Sequence, residues 1–247
     1  MSKLFPSMCS KPEKVTIFGL IPCWIWVFIL LPLFMPFVGL GLWEQWEVSS
    51  WLEIGYHAAN GILMFLLIHN YLKEEWFMAK LDIGSTLKHV ALTLGLMLGA
   101  ELVLFGVLWF FRFPIEDMQE FLPVVEMTIT HTPSALLAYN PIFGTIAVTV
   151  FVPFTVCAIF YCCCFAPICY KKTWLAYVAI AVATLIPSII DILWRGGARG
   201  MLCAYIVRLP IHLLACWSYQ KTDNVWTPII TLMVANLLMS LAQILLF

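Results

Sequence analysis

Long apolar runs recur along the whole chain, and short polar turns separate them. The chain has 247 residues, of which 63% are hydrophobic and 11% are charged, and its mean hydropathy is +0.96. Soluble domains are about half apolar and one quarter charged, whereas a helix that crosses a bilayer needs roughly 20 apolar residues. The sequence therefore predicts an all-α protein, a polytopic transmembrane helix bundle that forms a single domain over residues 1–247.

The lengths of the apolar runs predict about seven membrane spans. The first run, roughly residues 15–43, is too long for the core of a signal peptide and lacks a small-residue cleavage site. The other spans are expected near residues 51–72, 86–111, 142–170, 173–194, 201–219 and 225–247. Residues 1–139 would hold three spans and an outer loop, and residues 140–247 would hold the remaining four.

The basic residues are unequally divided between the two sets of predicted loops. With the N-terminus inside, the inner side carries nine lysines, namely Lys3, Lys11, Lys14, Lys73, Lys80, Lys88, Lys171, Lys172 and Lys221. The outer side carries only Arg112, Arg195 and Arg199. Because basic residues concentrate in cytoplasmic loops, this bias predicts an inner N-terminus and an outer C-terminus.

The predicted outer loop, residues 112–141, is the one sizeable polar segment. Acidic and apolar residues alternate in PIEDMQEFLPVVEM, as in a short helix that lies at the membrane surface. Glu116, Asp117 and Glu120 could bind a cation there, but a solvated acidic face is the simpler interpretation.

Several ionisable side chains fall inside predicted spans, where each is a candidate for a functional group. Glu101 lies in mid-span, and it serves either as a proton or substrate group or as a hydrogen-bonding partner of a neighbouring helix. Asp191 and Arg195 have the spacing of a helical ion pair. Arg208 and His212 lie one turn apart and need polar partners or water.

The sequence predicts neither a metal site nor a cofactor. His57 and His69 lie twelve residues apart on one helix, too far to share an ion. Consecutive thiols at Cys162, Cys163 and Cys164 point in different directions on an α-helix, so they are interpreted as apolar filler. A net charge of −1 argues against a nucleic-acid partner.

The segment YQKTDNVWTPIITLMVANLL ends one apolar run and opens the next. It resembles the last motif of the CPBP family, the CAAX-protease and bacteriocin-processing (Abi) group of intramembrane proteins, in a YxxTGSxWxPIxxHxxxN-like pattern. The match covers these positions: Tyr219, Thr222, Trp226, Pro228, Ile229 and Asn236. The histidine of the family falls on Leu232, Trp226 is expected at the inner interface, and Asn236 is expected to tie its helix to a neighbour.

A second family motif, PxxEExxxR, aligns on the helix that contains Pro153. Its two glutamates fall on Val156 and Cys157, and its arginine falls on Tyr161. The FxxxH motif of the family should lie near residues 185–191, where Asp191 is the nearest ionisable residue. The resemblance covers about residues 140–247 and implies a CPBP-like core that has lost its general base.

The resemblance implies a catalytically degenerate protein in the plasma membrane of a bacterium. It would bind membrane lipid and a membrane protein or peptide through a membrane cavity, as a scaffold, a regulator or a bacteriocin-immunity protein. One alternative is an active intramembrane endopeptidase with relocated residues at Glu101, Asp191, His212 and Asn236. Another is a small transporter or lipid-binding subunit, with Glu101, Arg208 and His212 along a path.

Overall fold

The computed structural model describes residues 46–110, 140–169, 172–195 and 198–246. Within these ranges all regular secondary structure is helical, which confirms the all-α prediction for this part of the chain. The helices are α1 (Trp46–Leu81), α2 (Ile83–Phe110), α3 (residues 141–169), α4 (Thr173–Arg195), α5 (Ala198–Thr222) and α6 (Trp226–Leu246). The predicted span at residues 15–43, and the loop acids Glu116, Asp117 and Glu120, lie outside the described residues.

Helices α2 to α6 begin and end within about three residues of the predicted spans. The junction of α1 and α2 differs, because α1 runs on through Lys73 and Lys80, where a loop was predicted. The intervening residues, KEEWFMAK, are mostly good helix formers, which explains the continuation.

Only Asp82 separates α1 from α2. Its Oδ1 atom accepts a hydrogen bond from the backbone N–H of Ser85 at 3.2 Å, and its carbonyl accepts one from the Thr86 hydroxyl at 3.0 Å. A side chain that caps the first turn in this way starts a new helix. The predicted loop is therefore a one-residue turn.

Helix α3 changes its hydrogen-bond pattern along its length. It comprises α-helical Pro141–Ile146, π-helical Ala147–Phe151, α-helical Val152–Val156, π-helical Cys157–Phe165 and α-helical Ala166–Cys169. Such π-helical turns are rare and often occur at functional sites. Pro153 contributes to the first of them, since a residue without an N–H cannot continue an α-helical ladder.

The helices pack around α5 and α6. Helix α5 lies against α4, α2 lies against both α5 and α6, and α1 lies against the first half of α3. At the contact of α1 with α3, a Cβ added to Gly61 would lie 2.5 Å from the Cβ of Phe151. The two backbones therefore approach closely at a position that only glycine accommodates without movement.

Two described segments are long and apolar enough to cross a membrane: Ile83–Leu104, in α2, and Pro141–Cys162, in α3. Only 17% of the first segment is buried against the protein, compared with 59% of the second. Shorter apolar helical segments are Ile54–Leu66, Thr173–Leu185 and Trp226–Leu238. The length and composition of these two helices are thus compatible with a membrane location.

Candidate functional site

The four positions that the sequence resemblance singled out, Val156, Cys157, Tyr161 and Leu232, come together in the fold. Val156 is 6% exposed, whereas Cys157, Tyr161 and Leu232 are completely buried. All four belong to one apolar cluster, which also includes Ile229 at the start of α6. Helices α3 and α6 therefore do meet at these positions, but they meet as a packed core.

The ionisable groups at these positions are one thiol and one phenol, which are weak acids. Cys157 has the thiols of Cys162 and Cys216 as its titratable neighbours, and Tyr161 has the thiols of Cys157 and Cys216. Among the described residues, the Tyr161 hydroxyl has no hydrogen-bond partner. Hydrolysis requires a group that takes a proton from water at neutral pH. Thiols and phenols in an apolar core do not provide such a group.

The π-helical segment Cys157–Phe165 changes the expected placement of its cysteines. Residues five apart are hydrogen-bonded in a π-helix, so Cys157 and Cys162 share a face of α3, which an α-helix would not allow. Neither thiol forms a disulfide, and the same holds for Cys169. Within the part of the chain that the structure describes, no three histidine, cysteine or acidic side chains are placed to hold a metal ion.

The side chain of Asn236 is held by a hydrogen bond where the backbone hydrogen-bond pattern of α3 is interrupted. In the first π-helical segment the N–H of Val152 donates to the carbonyl of Ala147, five residues earlier. The next donor in this series would be residue 153, but it is a proline, so the carbonyl of Val148 loses its backbone partner. The side-chain amide of Asn236 donates to that carbonyl instead, at 2.8 Å. Asn236 thus ties α6 to α3 at a specific defect.

A second polar link joins the α5–α6 turn to α1. Asn224 Oδ1 accepts the backbone N–H of Trp226 at 2.8 Å, and its Nδ2 donates to the carbonyl of Glu75 at 2.8 Å. The indole Nε1 of Trp226 donates to the carbonyl of Leu72, also at 2.8 Å. One residue thus caps α6 and holds α1, and Trp226 adds a further bond one turn away.

Aromatic rings surround the indole of Trp226. Its ring centroid lies 4.9 Å from that of Trp76 and 6.0 Å from that of Phe154, and Phe154 in turn contacts Phe65 at 5.6 Å. Edge-to-face and tilted pairs at these distances stabilise packing beyond simple burial. Trp226, the residue expected at the inner interface, therefore joins α1, α3 and α6.

Asp223 ends α5 in a left-handed conformation, with φ of 51°. Its N–H donates to the carbonyl of Tyr219 at 2.8 Å, as in the αL motif that closes many helices. The carboxyl is partly buried in the turn, and this burial raises its pKa to about 6. Asp223 is thus the ionisable group of this turn that responds to mildly acidic pH.

Arg208 and His212 lie one turn apart on α5 and are 3% and 4% exposed. The His212 imidazole stacks on the Phe160 ring, with 4.3 Å between centroids and 11° between planes. This stacking places the histidine against α3, close to the apolar core. Glu101 lies on a different helix, α2, and its Oε1 atom is buried with no hydrogen-bond partner among the described residues.

The side chains of Asp191 and Arg195 lie outside the described part of α4, although the helix itself extends through both residues. Asp191 is 18 residues from the start of α4, and at 1.5 Å per residue this is about 27 Å. Asn236 lies about 15 Å from the start of α6 by the same count. Helices α4 and α6 begin at the same end of the bundle. Asp191 and Asn236 therefore lie at different heights along the bundle axis.

Several buried polar residues lie outside the predicted set of site residues. Asn224 and Glu75 belong to the turn described above, and Asn60 and Ser240 are 3% and 0% exposed on α1 and α6. The sequence carries a signal for Ser240, because it follows Asn236 by four residues and shares its helix face. It carries a weaker signal for Asn60, a lone amide in an apolar run.

A scan against protein-family models, a search of curated proteins and a search of solved structures gave no match to this chain.

Proposed function

We propose that this chain is a non-catalytic, CPBP-like membrane protein that acts on a partner as a scaffold, a regulator or a bacteriocin-immunity protein. One observation carries the proposal: Val156, Cys157, Tyr161 and Leu232 occupy the catalytic positions of the resemblance and pack into one apolar core. The frame of a hydrolytic site is retained, whereas the groups that would activate water are replaced.

The physical argument concerns the general base. Hydrolysis of a peptide needs a group that accepts a proton from the attacking water at the working pH. A valine cannot accept one, and a fully buried thiol stays protonated in an apolar setting. The relocated alternative would use His212 and Asn236, but these engage Phe160 and the Val148 carbonyl. Those contacts argue for structural roles.

The proposed location is the plasma membrane of a bacterium, with seven spans, an inner N-terminus and an outer C-terminus. The two long apolar segments in α2 and α3, and the large apolar side chains exposed on α2, support a lipid environment. The lysine bias of the predicted inner loops supports the orientation. A C-terminal fusion to alkaline phosphatase should be active, and a fusion to green fluorescent protein should be dark; the reverse pattern would refute the orientation.

The absence of catalysis can be tested with the full chain purified in detergent. We expect no cleavage of a peptide library, measured by mass spectrometry, above that of a heat-treated sample. Cleavage that disappears in Glu101→Gln or Asp191→Asn would establish the endopeptidase alternative and overturn the proposal. Cleavage that survives both substitutions would point to a contaminating protease.

A small transporter or lipid-binding subunit is the second candidate, and the buried, unpaired Oε1 atom of Glu101 favours it. A carboxyl at this depth suits proton movement along α2 and α5. Proteoliposomes that hold a pH-sensitive dye would detect such movement as a proton flux. The transporter candidate requires a flux that Glu101→Gln abolishes; a flux equal to that of empty vesicles would eliminate it.

A further inference from the structure

Several neutral polar groups on α1, α3 and α6 have no hydrogen-bond partner within the described structure. One is Oγ1 of Thr149, in the Ala147–Phe151 segment, and three more are Nδ2 of Asn60, Oδ1 of Asn236 and Oγ of Ser240. The residues of these last three groups are 3%, 1% and 0% exposed, so solvent outside the bundle does not reach them. Buried polar groups are almost always hydrogen-bonded to protein or to ordered water, and such exceptions need an explanation.

Contacts of Asn236 and of Gly61 bring α6 and α1 to the same short π-helical segment of α3. Asn236 donates to the carbonyl of Val148 on one side of the segment. Gly61, next to Asn60, touches Phe151 on the same short segment. Ser240 lies one turn beyond Asn236 on the same face of α6. Helix α6 also contacts α1 directly, so all three helices bound one seam.

Leaving these groups without partners is energetically costly. A buried donor or acceptor without a partner has lost its hydrogen bonds to water and gained none in the fold. Cavities that stay empty are lined by apolar side chains, whereas polar ones of sufficient size hold water or a ligand. The Asn236 amide cannot turn to satisfy itself, because its Nδ2 atom is held by the Val148 carbonyl.

We propose that the seam between α1, the Ala147–Phe151 segment and α6 binds a neutral hydrogen-bonding ligand, either water or an amide group. Asn60 supplies a donor, Asn236 an acceptor and Ser240 a hydroxyl that serves as either. None of the three side chains carries a charge, so the lining matches a neutral ligand and disfavours an ion. The proposal does not rest on the proposed function, since none of its observations concerns the side chains of Val156, Cys157, Tyr161 or Leu232.

The first test compares two serine-to-alanine variants of the full chain in detergent. Ser240→Ala removes a hydroxyl of the seam. Ser218→Ala is the matched control, because Ser218 is equally buried but already donates to the carbonyl of Ala215 at 2.9 Å. If a ligand is bound, Ser240→Ala removes one of the hydrogen bonds that hold the ligand. The Tm of this variant should then be about 2–4 °C below that of the control. If the seam is empty, removing an unsatisfied hydroxyl raises Tm.

The second test uses the unmodified protein and so does not depend on the folding of a variant. Side-chain amides labelled with ¹⁵N at asparagine should show magnetisation transfer to bound water at Asn60 or Asn236 if the ligand is water. If the ligand is an amide, titration with acetamide should shift these two amide signals and raise Tm, and Ser240→Ala should weaken both effects.

The two measurements together decide the proposal. A water signal without an acetamide effect assigns bound water, and a saturable acetamide effect assigns an amide site. The absence of both would reject the site, as would a rise in the Tm of Ser240→Ala relative to Ser218→Ala.

Discussion

Asn236 shows how a single side chain compensates a backbone defect. Pro153 removes the N–H that would serve the Val148 carbonyl, and the Asn236 amide replaces it at 2.8 Å. We expect Asn236→Leu to lower the free energy of unfolding by about 1–3 kcal/mol, because a buried carbonyl is left unpaired. Thermal unfolding of the purified chain would measure the loss, with Thr231→Val as control, since the Thr231 hydroxyl donates to the Thr227 carbonyl within its own helix.

The same pair permits a double-mutant cycle. Pro153→Ala restores a backbone N–H to α3, so Asn236→Leu should cost at least about 0.5 kcal/mol less in that background than alone. Strictly additive effects would show that Pro153 and Asn236 act independently, contrary to the explanation given for the hydrogen bond.

Asp223 makes the stability of the α5–α6 turn depend on pH. Its pKa in the fold, about 6, exceeds the ordinary value of 3.8, so the folded state binds the proton more tightly than the unfolded state. The stabilisation from this group is fully present below pH 4 and is lost as the pH rises through 6. Because the carboxyl is half-exposed, solvent screening limits the effect to about 1 kcal/mol.

Asp223→Asn should remove this pH dependence between pH 4 and pH 6, since asparagine is neutral and also tolerates the left-handed backbone. Unfolding followed at several pH values would measure it. An unchanged slope in Asp223→Asn would assign the dependence to another group.

At the scale of elements, the contact between α1 and α3 depends on Gly61. A Cβ there would lie 2.5 Å from Phe151 Cβ and 2.7 Å from its Cα, so the two helices would have to separate. Gly61→Ala should therefore destabilise by about 1–3 kcal/mol, as overpacking does. Gly55→Ala, on the same helix with open space around it, should stabilise by up to about 1 kcal/mol. Equal Tm shifts of one sign would contradict this.

The two functions of Asn224 in the α5–α6 turn can be separated. Serine at this position keeps an oxygen that caps α6 but is too short to reach the carbonyl of Glu75. Asn224→Ser should lose only the link to α1, and Asn224→Ala should lose the cap as well and be about 1 kcal/mol less stable than the serine variant. Hydrogen exchange at the first turn of α6 would report the cap, and equal protection in both variants would exclude it.

At the scale of the whole molecule, apolar run length predicted most of the described helices, because helix boundaries in such a chain follow hydrophobicity and breaking residues. The π-helical turns of α3 were not predictable, since they involve partners far along the chain, such as Asn236 for Val148, 88 residues away. The α1 extension was missed because charged residues in KEEWFMAK resemble a loop but are good helix formers. Sequence identified Asn236 and Trp226, whereas their hydrogen-bond partners required the fold.

The final prediction concerns ionisable side chains placed at two positions of the apolar core. Val156→Glu would place a carboxylate at a 6% exposed position among apolar neighbours, and Leu232→His would place an imidazole at a completely buried one. Each should destabilise by about 3 kcal/mol or more, because an ionisable side chain buried in an apolar cluster loses its hydration. Val156→Leu and Leu232→Met, which keep the core apolar, should cost less than about 1.5 kcal/mol.

The double variant Val156→Glu/Leu232→His should gain no protease activity, since a catalytic pair needs a wet cavity and supporting hydrogen bonds as well as the two side chains. Thermal unfolding and peptide cleavage of the same preparations would measure both properties. A stable double variant that cleaves peptide would show that the core opens readily to water, and that only the side chains separate this fold from a hydrolase.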